Sequence, residues 1–350
     1  MSTRKLRVLL TNDDGPPGPD SPYIYGLYKH LTLDLGWEVN VVIPSSQKSW
    51  IGKAHQIKEI VHGQYYYPRD HDGNGVKSST SRPLEHGEIA EWILLDGTPA
   101  TCANIGLHNL YHGDIDLLLS GPNLGRNTSS AFALSSGTIG AALSSSLSHV
   151  RSIALSYGTV IHTGPTPTSF FEPAHALSAR IVGHLWDNWG ADAGGLRAGE
   201  VDLYNVNIPM VEGLLGDEGL PILWTRMWRN SYGRLFKAHA AEQEPALKRS
   251  TSNAGPDTPG TDPTPALAPG SSRGDVEPSE VGRLVFKFAP DMKGLIGVSV
   301  SSLPEGTDGW AMEKGWVSVT PMRASFAEPA SEDAFVVDGK LHDRIWKMKL

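Results

Sequence analysis

The chain has 350 residues, 39% hydrophobic and 19% charged, which is enough to build one large domain or two ordinary ones around a core of their own. A formal net charge of −8 argues against a generic nucleic-acid binder, because phosphate backbones select basic surfaces. Cys102 is the single cysteine, so no intramolecular disulfide can form, and no apolar run approaches the ~20 residues that span a bilayer. The expectation is a soluble, cytoplasmic protein with no membrane partner.

The first half alternates strand-like and helix-like segments. Leu6–Leu10 is an apolar run that reads as a strand buried on both faces, too short to be a signal peptide. Pro22–Leu35 is predicted helical, because Ile24, Leu27, Leu31 and Leu35 recur at helical spacing. Val39–Ile43 is a second strand, ended by Pro44. Residues 62–88, rich in Gly, Ser, His and charge, read as an irregular excursion. Trp92–Leu95 is a strand leading into Thr98-Pro99-Ala100, a helix start with proline in the first turn. Ile115–Leu119 is another buried strand, and Ser135–Leu147 a loop turning into a helix of small residues. Ile153–Leu155, the helix Pro173–Trp189 and Val201–Ile208 complete a doubly wound sheet.

After Trp224 the character changes. Residues 242–280 are rich in Pro, Gly, Ser, Thr and Asp and hold almost no large apolar side chain, so they cannot bury enough surface to offset ordering. They read as a disordered insertion within a single domain spanning 1–350, since strand patterns resume at Leu284–Phe288, Val298–Ser301 and Trp316–Thr320. The fold class is thus α/β, a Rossmann-like, doubly wound, mostly parallel sheet with a β-rich C-terminal appendage.

The most informative residues are Asp13 and Asp14, followed by Gly15, directly after the first strand. In open α/β sheets ligands sit at the carboxyl ends of strands. Two adjacent carboxylates there repel each other unless a cation or proton intervenes. Four further segments end strands or begin helices with small polar residues: Pro44–Trp50, Asp96–Pro99, Ser120–Asn127 and Ser135–Gly140. Their carboxylate, amide and hydroxyl oxygens suit a hard divalent cation such as Mg²⁺ or Mn²⁺. Hydroxyls and free N–H groups at a helix start suit a phosphate.

Val8-Leu9-Leu10-Thr11-Asn12-Asp13-Asp14-Gly15 resembles the N-terminal signature of the SurE family of survival-protein phosphatases and nucleotidases. Ser120-Gly121-Pro122-Asn123-Leu124-Gly125-Arg126-Asn127 is similar to its Ser-Gly-x-Asn-x-Gly-x-Asn segment. Asp96–Pro99, Ser136–Gly140, Asn205–Pro209 and Gly315–Pro321 match in the same order. The resemblance implies metal ligands at Asp13, Asp14, Ser49 and Asn123, with the two aspartates central to catalysis. It places a phosphate against Asn127, Ser136, Gly137 and Thr138. It also implies hydrolysis of small phosphate esters, typically nucleoside monophosphates, and a homodimer or homotetramer. Departures are Lys48-Ser49-Trp50 where many bacterial members have Arg-Ser-Gly, Pro122 in place of an apolar residue, and a longer Asn127–Ser136 loop.

Blander readings apply elsewhere. Asp70–Gly75 begins like a calcium loop, but its twelfth position is Ser81, so it reads as a polar loop. His108 and His112 lack a third zinc ligand and read as a helix surface. Ser136 and Thr138 suit helix caps, which use the same N–H groups as an anion site. A haloacid-dehalogenase-like enzyme needs Asp-x-Asp after the first strand, which this chain lacks. A catalytically silent nucleotide or phosphate sensor would use the same loops and is the alternative from another class.

Overall fold

The computed structural model describes residues 4–159, 166–238, 285–292 and 294–327. The first apolar run becomes β1 (Arg7–Thr11), followed by α1 (Ile24–Lys29), which widens into a π turn over His30–Asp34, and β2 (Glu38–Pro44). Next come β3 (Gly63–Pro68), β4 (Gly75–Ser78), β5 (Trp92–Leu95), α2 (Pro99–Ile105) and β6 (Leu117–Leu124). Two helices, α3 (Ser129–Ser135) and α4 (Gly137–Ser146), lead to β7 (Arg151–Gly158), α5 (Phe171–Asp187) and β8 (Leu203–Pro209). The remainder is β9 (Ile222–Trp224), β10 (Phe236–Ala238), β11 (Phe286–Phe288), α6 (Asp308–Glu313) and β12 (Val317–Met322).

The main sheet has ten strands in the order β4-β3-β5-β2-β1-β6-β7-β8-β12-β9. From β5 to β8 every pairing is parallel, with Leu9 lying between Asn40 and Leu118. Strand alternation divides the core. Val8 and Leu10 pack with Ile24 and Leu27 of α1, Leu31 of the π turn, and Ile181, Val182 and Leu185 of α5. Leu9 points to the opposite face, where it meets Cys102 and Ala103 of α2 and Ala141 of α4. Helices therefore cover both faces, which is why the central strands read as unbroken apolar runs. Each fully buried Leu or Ile contributes about 1.5–3 kcal/mol of transfer free energy.

The α/β, mostly parallel fold is the one the sequence predicts, with three differences in detail. Residues 62–88 are not irregular: Tyr65, Tyr66 and Tyr67 supply the aromatic β propensity of β3, which pairs antiparallel with both β4 and β5. Val298–Ser301 is not a strand but ends in a single 3₁₀ turn at Val300–Ser302. The last strand, β12, is no appendage either. It enters the main sheet antiparallel to β8, and the β10–β11 pair forms the separate small antiparallel sheet. The 242–280 insertion lies outside the described residues. Among the described residues no helix is long and apolar enough to cross a membrane.

Candidate active site

The strand order reverses at β1, whose neighbours β2 and β6 are reached by connections running in opposite directions along the sheet. The carboxyl ends of β1 and β6 therefore flank the crevice where ligands bind in this architecture. Asn12 shapes the turn that opens it. Its side-chain amide donates to the Gly15 carbonyl at 2.8 Å, its carbonyl oxygen accepts from the Gly15 N–H at 3.1 Å, and Gly15 takes a φ of +88°. A glycine suits that left-handed backbone. Both aspartates are consequently held in the crevice, each only 3% exposed.

Asp13 accepts a hydrogen bond from the Thr138 hydroxyl at 2.6 Å, and its backbone carbonyl accepts from the Lys48 N–H at 2.7 Å. One oxygen of Asp14, Oδ2, accepts from the Leu124 N–H at 2.7 Å, while its Oδ1 is buried without a hydrogen-bond partner. Burial pushes both carboxyls upward from the ordinary range. The Asp13 charge raises Asp14 further, and the Thr138 hydroxyl offsets part of the rise at Asp13. A pair arranged in this way favours either a bound proton or a bound cation.

The residues fit a cation. Besides Asp14 Oδ1, the Ser49 hydroxyl oxygen is buried without a partner. The Asn123 side-chain N–H donates to the Gly125 carbonyl at 2.8 Å, so its Oδ1 is the atom that could face a cation. Asp13, Ser49 and Asn123 line one small, partly open cavity together with Asn127 and Ser136. Oxygen donors of this kind are those that hard divalent cations take.

The other predicted phosphate residues are placed differently from one another. Ser136 is the N-cap of α4, its hydroxyl oxygen accepting from the Ile139 N–H at 3.1 Å. Gly137 lies against Asp13, since a Cβ there would come within 2.9 Å of Asp13 Cβ. Thr138 directs its hydroxyl to the Asp13 carboxylate, so its contact with the site runs through that residue. Asn127 is fixed from three sides. Its N–H donates to Asn207 Oδ1 at 2.7 Å, its amide nitrogen to the Ser156 hydroxyl at 2.9 Å, and its carbonyl accepts from the Asn205 side chain at 2.8 Å. Asn205 and Asn207 are two apart on β8 and so point to the same face.

Several residues that complete the site stand outside the predicted ligand and phosphate sets, among them Trp50, which the sequence offers either as a nucleobase-stacking ring or as core. Trp50, Phe132, Ser135 and Arg126 also line the cavity. Arg126 is paired with Glu313 of α6 at 2.6 Å, both side chains nearly buried. Asp308 accepts the N–H groups of Ser129 and Trp228, each at 2.8 Å, and so ties the start of α3 to the chain that follows β9. The period-two spacing of Asn205 and Asn207 was a usable signal for paired support of one neighbour. For Glu313, 187 residues from Arg126, and Asp308, 179 residues from Ser129, no local pattern exists.

Comparison with known proteins adds three observations. The family described as survival protein SurE matches residues 8–234. A Saccharomyces cerevisiae protein described as a probable tubulin–tyrosine ligase is 33% identical over 347 residues, which cover 92% of this chain and 41% of that protein, so the chain spans about two fifths of its length. A 5′-nucleotidase SurE of Roseobacter denitrificans is 31% identical over 242 residues, 67% of this chain and 79% of its own. One from Methanocella arvoryzae is 28% identical over 227 residues, covering 65% and 74%. The crystal structure of the SurE protein from Aquifex aeolicus superposes with a TM-score of 0.55 at 23% identity, over 92% of this chain and 94% of that one, a likeness of fold.

Proposed function

The chain belongs to the SurE family, and from that membership we propose that it is a phosphomonoesterase of the 5′-nucleotidase type that works with a divalent cation. Relatives named as 5′-nucleotidases support a phosphatase or nucleotidase activity. The cation and the substrate class rest on the chemistry of the site. The observation that carries the reading is the buried Asp13-Asp14 pair at the switch point, with Asp13 lining one cavity with two further oxygen-bearing side chains, Ser49 and Asn123. The ligase named for the yeast relative belongs to a protein more than twice as long as this chain.

In this reading Asp13, Asp14, Ser49 and Asn123 hold Mg²⁺ or Mn²⁺. When bound, the cation neutralises charge on the phosphoryl oxygens and lowers the pKa of a nearby water. Asn127 has its backbone held by Asn205 and Asn207 and its side-chain amide held by Ser156, so it meets the phosphoryl group with little reorganisation. Ser136 has its hydroxyl oxygen engaged by the helix cap, which leaves its proton to donate to a non-bridging oxygen. The N-terminus of α4, beginning at Gly137, adds its partial positive charge. Thr138 holds Asp13 in one orientation as cation and substrate bind. The substrates are nucleoside monophosphates and similar small esters. A cytoplasmic location and a homodimer or homotetramer belong to the same proposal.

The test is hydrolysis of a nucleotide panel and para-nitrophenyl phosphate, with EDTA and after adding back Mg²⁺ or Mn²⁺. Metal-restored turnover is the expected result. Turnover that resists EDTA would remove the cation from the reading, and binding of nucleotides without any turnover would make the chain a sensor.

A further inference from the structure

The cavity that holds Asp13, Asn123 and Ser136 has a second kind of lining, the rings of Trp50 and Phe132. Trp50 is held among three other rings: Phe132 at 5.9 Å and 65°, Tyr232 at 6.1 Å and 41°, and Phe288 at 5.3 Å and 63°. Its backbone sits at φ +59°, a region bulky side chains rarely adopt. The surrounding chain fixes it there. The Gly52 N–H donates to the Ser135 carbonyl at 2.8 Å, pinning the loop to the end of α3. The Tyr232 hydroxyl meets Ser135 Oγ and donates to the Ala131 carbonyl at 2.8 Å. The aromatic lining is thus built from separate segments that converge on one indole.

A phosphoryl group and its cation are satisfied by oxygen and N–H ligands and gain nothing from an aromatic wall. The leaving group of a phosphate ester does gain, if it is flat and apolar, because a π face stacks on rings of any sequence. We infer that Trp50, backed by Phe132, is the leaving-group platform of this site and selects phosphomonoesters that carry a planar aromatic group. That group is either a nucleobase reached across a ribose or an aryl ring joined directly to the ester oxygen. The inference rests on the phosphomonoesterase reading and adds to it a specificity-determining residue.

The experiment compares kcat/KM for 5′-AMP, phenyl phosphate and glycerol 2-phosphate, with Mg²⁺ or Mn²⁺ present, in the full-length protein and its Trp50→Leu and Trp50→Phe variants. Leucine keeps apolar bulk and removes the π face; phenylalanine keeps a ring. Loss of one stacked ring lowers the preference for an aromatic over an aliphatic ester by about tenfold in Trp50→Leu, and Trp50→Phe retains most of it. A fall confined to AMP identifies a base held across the ribose, and a fall confined to phenyl phosphate identifies a directly attached ring; either supports the platform. An unchanged ratio in a folded Trp50→Leu protein overturns it while leaving phosphatase activity in place. Should that variant not fold, calorimetric binding of adenosine and of ribose to the unmodified protein decides the matter: adenosine must bind at least about tenfold more tightly, and equal binding overturns the inference. Failure of the unmodified protein to hydrolyse any of the three esters would instead count against the phosphomonoesterase reading.

Discussion

Replacing Gly137 with alanine adds one methyl group at the point where α4 meets the carboxylate pair. The new Cβ would lie 2.9 Å from Asp13 Cβ, 3.0 Å from Asp13 Oδ2 and 3.0 Å from Pro99 Cγ. Contacts closer than 3.4 Å are tighter than nine in ten real ones, so about half an ångström must be given up by Asp13 or by the helix start. In isolation the exchange favours the helix by about 0.5–1 kcal/mol. Overpacking costs about 1–3 kcal/mol, so the net loss is about 0–2.5 kcal/mol, or at most roughly 10 °C in Tm. Activity responds more strongly, because the start of α4 itself holds the Asp13 carboxylate, through the Thr138 hydroxyl at 2.6 Å and the backbone of Gly137 and Thr138. A displacement of this order in a group that positions the reacting atoms costs about 10- to 100-fold in kcat. Initial rates on AMP at saturating Mn²⁺, set beside thermal melts of the same preparations, measure both effects. A variant that folds normally and turns over at the full rate would show that α4 does not set the position of Asp13, and the site would need to be redrawn.

Asp13→Asn removes a buried charge while keeping shape, so turnover should fall by at least about a hundredfold with Tm unchanged or raised; near-normal hydrolysis with metal supplied would contradict the assignment. The metal-free protein should lose stability as pH rises. Asp13 and Asp14 have carboxyls pushed upward by burial, and Asp308 is pushed up to about 6 by the same cause. Their contribution is therefore fully present below the unfolded value near about 4 and is lost as pH passes through the raised values. Cation binding needs the charged carboxylates, so the rise in Tm on adding Mn²⁺ should grow from pH 5 to pH 7; a constant rise across that window would exclude the pair as ligands. Gly26→Ala, inside α1, should destabilise despite the helix propensity of alanine, because its Cβ would meet the buried His175 ring at 2.2 Å. Denaturant titration should show a loss of about 1–3 kcal/mol with kcat retained, and a gain in stability would contradict the packing.

The parallel core was legible because strands covered on both faces leave unbroken apolar runs, and Val8 to Leu10 is such a run. The carboxylate pair was legible because two adjacent acids after a buried strand repel each other unless a cation or proton intervenes, and the neighbouring motifs weigh against a mere turn. What stayed hidden depends on partners far along the chain. The tyrosines of β3 were masked by the Gly, Ser and charged residues around them. Trp316–Thr320 reads as a strand, but nothing local says that it pairs with β8, more than a hundred residues earlier. The Asn127–Ser136 segment read as a loop because Ser and Thr at its start favour caps as much as coil, and the backbone of Ser129, at φ +76°, is set by Asp308. The role of Thr138 was displaced for a related reason: a hydroxyl in a helix's first turn suits an anion equally well until a buried carboxylate lies within reach.

Asp14 takes its N–H from a residue 110 positions away, Asp13 its hydroxyl from one 125 away, and Asn127 its anchor from one 80 away. Loops of that length must close before such contacts return anything, which places them among the slowest events of folding. Until β1 has paired with β6, the two aspartates are ordinary solvated acids with no shared ligand to offer. With the proposed metal site, cation uptake would follow completion of the sheet. Added Mn²⁺ should slow unfolding and leave the refolding rate unchanged, because it grips only what the transition state has yet to assemble.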